Sequence, residues 1–149
     1  MQKTQLQFYS KWPSAQGLQP KRSLIIVDQK VRKHPALQKW LQKFPFVYTV
    51  EAGETLKQIE NFPGHIEKIL KISQSISERP LQIICIGGGS VGDFAGFVAS
   101  VFKRGVDLVQ IPSTWLSAVD SAHGGKNALN SKSAKNQIGT FHPATDQEK

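Results

Sequence analysis

The sequence predicts an α/β domain built on a parallel sheet, and three observations carry that prediction. Short, continuously apolar, β-rich runs alternate along the chain with amphipathic helical stretches. The strand runs lack an apolar–polar alternation, which marks strands covered on both faces. Three glycines, Gly87, Gly88 and Gly89, stand directly between such a strand and a helix.

The elements follow in order. SLIIVD at residues 23–28 reads as a buried strand. Residues 36–43 read as a short helix stopped before Pro45, and FVYTV at 46–50 as a second strand. Ile66, Ile69, Leu70 and Ile76 fall near one face of a helix expected over 65–77, with Pro63-Gly64 just before it. LQIICI at 81–86 is a third strand. Phe94, Phe97, Val98 and Val101 are spaced i, i+3, i+4, i+7, so a helix with a buried face follows the glycines. DLVQI at 107–111 is a fourth strand, ended by Pro112. From Ser113 onward this rhythm is lost, and a stretch rich in Gly, Ser, Asn and Lys reads as loops or a hairpin lining a site. The whole chain, 1–149, is taken as one domain.

Composition narrows the classes. The chain is 39% apolar, which argues against disorder. Its apolar runs are too short to cross a bilayer, and its first residues lack the apolar core of a secretory signal. A single cysteine, Cys85, lies inside a strand run and reads as a buried thiol. These features favour a cytoplasmic protein without a membrane partner. The net charge is +8, and Lys21, Arg22, Lys30, Arg32, Lys33, Lys39 and Lys43 cluster. With no nucleic-acid motif beside them, they read as a solvated surface that attracts phosphorylated small molecules.

The glycine cluster carries the first chemical signal. Glycines there permit unusual φ angles and a close approach of backbone to phosphate. Amides at the start of the following helix then face the anion. This is the Rossmann-like dinucleotide arrangement, although the spacing departs from G-x-G-x-x-G, and a tight strand-to-helix turn is the alternative. Asp93, near the helix start, is placed either to cap amides or to accept from ribose hydroxyls. Downstream, Ser113, Thr114, Asp120, Lys126, Asn130, Lys135 and Asn136 gather in one polar stretch. Lysines there neutralise carboxylate or phosphate while Asp and Asn orient hydroxyls, unless the stretch is an ordinary solvated loop.

GGGSVGDFAGFVASVFKRG, then IPSTWLSAVDSAHGGK, then AKNQIGTFHP, resembles the 3-dehydroquinate synthase family of sugar phosphate cyclases in order and spacing. AGETLK at 52–57 is similar to that family's DGExxK. The resemblance implies the amino-terminal NAD-binding α/β domain of a dehydroquinate synthase-like fold, without the carboxy-terminal helical domain that carries the metal. It implies a carbon–oxygen lyase of aromatic amino acid biosynthesis. Such an enzyme converts 3-deoxy-D-arabino-heptulosonate 7-phosphate to 3-dehydroquinate and phosphate in the shikimate pathway, with catalytic NAD and a divalent metal, Zn or Co.

Residue by residue, the resemblance places Gly53, Glu54 and Lys57 around the adenosine ribose. Gly88, Gly89, Ser90, Val91, Gly92 and Asp93 fall on the pyrophosphate and nicotinamide side, and Ser113 and Thr114 beside NAD. Lys126 and Lys135 match lysines shared between cofactor and substrate. Asp120 and Asn136 match substrate contacts. Arg104 matches an arginine that reaches the substrate phosphate of a neighbouring subunit, which implies a homodimer. Ala52, Ser90, Ser113 and Asn127 depart from the pattern, and Ala52 removes a ribose acceptor. The family's metal ligands, a glutamate and two histidines, lie beyond Asn136, so this chain is expected to hold no metal site and to be inactive alone. Three readings compete: a metal-dependent alcohol or polyol-phosphate dehydrogenase, another sugar phosphate cyclase, and a non-catalytic NAD-binding fragment.

Overall fold

Four of the strands form the middle and one edge of a six-stranded, all-parallel sheet in the computed structural model, which describes residues 5–7, 14–113, 126–130, 138–141 and 146–148. The strands are β1 (Gln5–Gln7), β2 (Ser23–Asp28), β3 (Val47–Val50), β4 (Gln82–Gly87), β5 (Asp107–Pro112), β6 (Lys126–Leu129), β7 (Ile138–Phe141) and β8 (Asp146–Glu148). The sheet order is β1-β8-β5-β4-β2-β3, and β6 and β7 pair separately as an antiparallel hairpin. The sequence foreshadows β2 to β5 and the hairpin. It gives no sign of β1 or β8, whose three-residue runs QLQ and DQE have no apolar pattern to read.

The helices are α1 (Gln29–Arg32), α2 (Pro35–Leu41), α3 (Phe62–Ser73) and α4 (Gly89–Val101). Successive strand residues point to opposite faces, so each strand feeds two cores. Leu24, Ile26, Ile83, Cys85 and Leu108 meet α4's Phe94, Val98 and Ala99 and α3's Ile69 on one face. Ile25, Val27, Ile84, Ile86, Val109 and Ile111 meet Leu37, Trp40 and Leu41 of α2 on the other. Covering both faces is why the strand runs are continuously apolar. Each fully buried aliphatic side chain of this kind contributes about 1.5–3 kcal/mol.

Three helical expectations shift. α3 starts at Phe62, so Pro63 and Gly64 lie in its first turn, where proline's missing amide costs nothing. Leu70 and Val101, both expected on buried faces, are 39% and 43% exposed. Val101 closes α4, beyond the cover of the sheet. Ile76 is buried but lies past the helix end.

The basic cluster is largely surface. Lys21, Lys30, Arg32, Lys33, Lys39 and Lys43 are exposed. Arg22 instead ties elements together, donating to the Pro80 carbonyl at 2.8 Å and to Gln82 Oε1 at 3.1 Å, with Asp107 at 3.5 Å. No helix among the described residues is long and apolar enough to cross a membrane.

Candidate cofactor site at the glycine turn

β4 runs straight into α4 through Gly87 and Gly88, and the strand-to-helix turn lies at the carboxyl edge of the sheet. That edge is where parallel α/β sheets bind ligands. Gly88 is the N-cap residue of α4, and no side chain caps this end. The first-turn amides of a helix have no intrahelical acceptor and carry the positive end of its dipole. An anion is the partner that satisfies both. A Cβ built on Gly89 meets nothing within 4 Å, so that residue faces open space. Beneath the turn, only a notch of about 10 Å³ remains among Cys85, Gly87, Gly88, Gly92 and their β5 neighbours. The open space at Gly89 leaves the first-turn amides accessible to an anion.

The glycines work differently from the expectation of unusual φ angles. Gly88 has φ −89°, an ordinary extended value. Gly87 is needed for a close approach: its Cβ would sit 2.9 Å from Val91 Cβ. Positive φ is used elsewhere, at Gly53, where φ is 134°. Val91 is fully buried beneath the turn, so only its backbone can serve a ligand.

The segment after β3 folds over this helix start. The Gly53 amide donates to Ser90 Oγ at 2.9 Å. Lys57 Nζ pairs with Asp93 Oδ2 at 2.9 Å, with the lysine side chain only 7% exposed. Asp93 thus bonds a lysine one turn into α4 and does not cap the helix. Asn130, at the end of β6, donates from Nδ2 to Glu54 Oε2 at 2.8 Å. Six expected residues (Gly53, Glu54, Lys57, Gly89, Ser90 and Asp93) are therefore gathered at one helix start. Ser113 joins them through its amide, which donates to the Gly87 carbonyl at 2.9 Å.

The other expected residues separate into two groups. Lys126 opens β6, the strand of the hairpin that lies against α4. Thr114, Asp120, Lys135 and Asn136 lie outside the described residues. Arg104 is exposed beyond the carboxyl end of α4, with φ 66°. The 13 residues of α4 separate it from the glycine turn by about 20 Å of helix rise.

Asp28 is an acid that the sequence reading passed over. It closes β2 one residue beyond the Val27–Ile86 pair, beside the glycine turn, and its Oδ1 accepts from the Lys30 amide at 3.0 Å. The available signal was an aspartate terminating an apolar strand. Burial pushes the Cys85 thiol up to about 12, with Asp93 adding to the effect, so this thiol stays protonated. Tyr48 Oη and His65 Nδ1 lie 2.6 Å apart at the neighbouring cleft of about 470 Å³. Burial, with Lys68 nearby, holds His65 below its usual value, and burial raises Tyr48. A larger groove of about 960 Å³ lies on the α2 side; Arg32 and Lys33 of the basic cluster line it, but none of the expected cofactor or substrate residues does.

The model of the family described as "3-dehydroquinate synthase N-terminal" matches residues 47–146, which take in β3, the glycine turn and the hairpin. The chain belongs to the 3-dehydroquinate synthase family. It is 43% identical over 130 residues to the 3-dehydroquinate synthase of Enterococcus faecalis strain V583, covering 83% of this chain and 35% of that one. With the enzyme of Xylella fastidiosa strain 9a5c it shares 43% over 97 residues, 65% of this chain and 24% of the other. The chain thus spans about a quarter to a third of these relatives. Among solved structures, 2-deoxy-scyllo-inosose synthase complexed with carbaglucose-6-phosphate, NAD⁺ and Co²⁺ is 27% identical, with a TM-score of 0.70 over 85% of this chain and 35% of that one. A 2-epi-5-epi-valiolone synthase from Streptomyces hygroscopicus, with NAD⁺ and Zn²⁺ bound, shares the fold at a TM-score of 0.79 and 23% identity, over 99% of this chain and 42% of that one.

Proposed function

We propose that this chain is the NAD-binding part of a 3-dehydroquinate synthase, acting on 3-deoxy-D-arabino-heptulosonate 7-phosphate within a homodimer in the cytoplasm. The observation that carries the cofactor reading is the uncapped start of α4, with Gly89 opening on free space and Glu54 held beside it. These residues fit a dinucleotide: amides for the pyrophosphate and a carboxylate for ribose hydroxyls. Bound NAD would supply hydride chemistry, taking a hydride from the substrate and giving it back within the same turnover, with no net oxidation.

This chain's residues supply position and charge. The amides at Gly89, Ser90 and Val91 hold the pyrophosphate. Glu54 accepts from ribose, and Lys57 is kept in place by Asp93. Ser113 and Thr114 line the cofactor. Lys126 and Lys135 balance the substrate's negative charge, while Asp120 and Asn136 orient its hydroxyls. Arg104 would reach the substrate phosphate of a second subunit, a reading supported by its position beyond the end of α4 opposite the glycine turn. Among the described residues no group of three or more His, Cys, Asp or Glu side chains is gathered to hold a metal ion.

The second reading is another sugar phosphate cyclase. It is favoured by the likeness to 2-deoxy-scyllo-inosose synthase. The higher identity to 3-dehydroquinate synthases, 43% against 27%, supports the first.

The test is titration of the chain with NAD⁺ by calorimetry. Saturable heat is expected, with weak affinity, because a cofactor normally buries its surface against two walls of a cleft. A folded chain that shows no NAD⁺ heat sinks the reading.

A further inference from the structure

We propose that Asn130 is a positioning residue that holds the Gly53–Lys57 segment in its cofactor-facing arrangement and ties it to the strand carrying Lys126. The inference rests on the NAD reading above.

Asn130 is 2% exposed, and its buried side chain makes a bond to an exposed partner: Nδ2 donates to Glu54 Oε2 at 2.8 Å. Its backbone grips the same segment twice more. The Asn130 amide donates to the Lys57 carbonyl at 2.7 Å, and its carbonyl accepts from the Ile59 amide at 2.9 Å. Together these form a short parallel bridge between Gln58 and Asn130. Within itself the segment has little regular hydrogen bonding. Glu54–Lys57 and Ile59–Asn61 are single 3-10 turns, which have poor hydrogen-bond geometry of their own.

The consequence reaches both halves of the site. Among the described residues Glu54 has one carboxylate oxygen occupied by Asn130, which fixes the plane of the carboxylate and leaves the other oxygen for a ligand hydroxyl. The grip on the Lys57 carbonyl fixes the backbone whose Nζ reaches Asp93 in α4. Leu129, the preceding residue, is fully buried, so Asn130 is anchored by its own strand. Lys126 opens that same strand four positions earlier. The distance between the Lys126 backbone and the cofactor segment is thereby set by Asn130 and not by the chain length between them.

The test reverses the polarity of the Asn130–Glu54 bond. Asn130→Asp places a carboxylate against Glu54 and leaves the backbone bridge possible. Glu54→Gln supplies an amide that can donate to it. NAD⁺ dissociation constants are measured by calorimetry for the parent chain, Asn130→Asp, Glu54→Gln and the double variant, with urea midpoints recorded alongside. Asn130→Asp is expected to weaken NAD⁺ binding about tenfold, as expected for a lost bond to a charged group. In the Glu54→Gln background the same substitution is expected to cost about twofold or less. A purely structural asparagine would move the urea midpoint equally in both backgrounds and show no such coupling. Equal losses of NAD⁺ affinity in the two backgrounds, or none in either, overturn the inference while the cofactor reading stands. A folded parent chain that binds no NAD⁺ overturns both.

Discussion

A Cβ at Gly87 meets Val91 at 2.9 Å, whereas a Cβ at Gly89 meets nothing within 4 Å. Two glycines of the same turn therefore differ, one set against packed side chains and the other opening on free space. Gly87→Val is expected to lower folding stability by about 2 kcal/mol or more, because Val91 is fully buried and cannot yield. Gly89→Val is expected to leave stability within about 1 kcal/mol of the parent, since valine is the better helix former. It should nonetheless cut NAD⁺ affinity severely by filling the space above the amides. Gly17→Val, also in open space, is the control and should change neither. Urea denaturation paired with NAD⁺ calorimetry separates these cases. Gly89→Val binding NAD⁺ as the parent does would remove the phosphate cradle from the argument. The glycine cluster was legible in the sequence, but this difference was not, because it depends on which way each absent Cβ would point.

At the scale of elements, α4 connects the core to the site. Its N-terminus forms the turn at the carboxyl edge of the sheet while Phe94 is fully buried between the sheet and α3, edge-on to His65 at 4.9 Å and Phe62 at 6.4 Å. Phe94→Ala is expected to cost about 3–5 kcal/mol, the usual range for emptying such a site. Val101→Ala, at a residue 43% exposed on the same helix, should cost well under 1 kcal/mol. Urea midpoints of the two variants check this, and equal losses would mean that α4 is not seated as described. The i, i+3, i+4, i+7 spacing identified the buried stripe but could not show where the sheet's cover ends, so it overreached by one residue at Val101. The strap after β3 was legible only as a motif match. Its bonds to Ser90, Asp93 and Asn130 join positions 36 to 76 residues apart, beyond the reach of any local pattern.

At the scale of the whole molecule, the chain spans 35% of the Enterococcus faecalis relative and 24% of the Xylella fastidiosa one, so a complete reaction is not expected from these residues alone. With NAD⁺ and either Zn²⁺ or Co²⁺ added, the 149-residue chain is expected to release no phosphate from the heptulosonate phosphate. A polypeptide extended to the relatives' length should release it. A phosphate-release assay on both checks this, and steady release by the short chain would contradict the placement of the metal.

By itself the sequence determined the α/β class, strands β2 to β5, the helix after the glycines and the family. Each is written in local spacing: continuous apolar runs for doubly covered strands, a helical period behind Gly89, and motif blocks in register. Only the tertiary structure decided which side chains meet. β1 and β8 join the sheet through backbone pairing that their polar sequences do not announce. Asp93 takes Lys57 in place of its own helix start, and Asn130, first one polar residue among several, becomes the joint between two segments. A hydrogen bond between distant residues depends on where the packed sheet and α4 bring their backbones, and no short stretch of sequence contains that information.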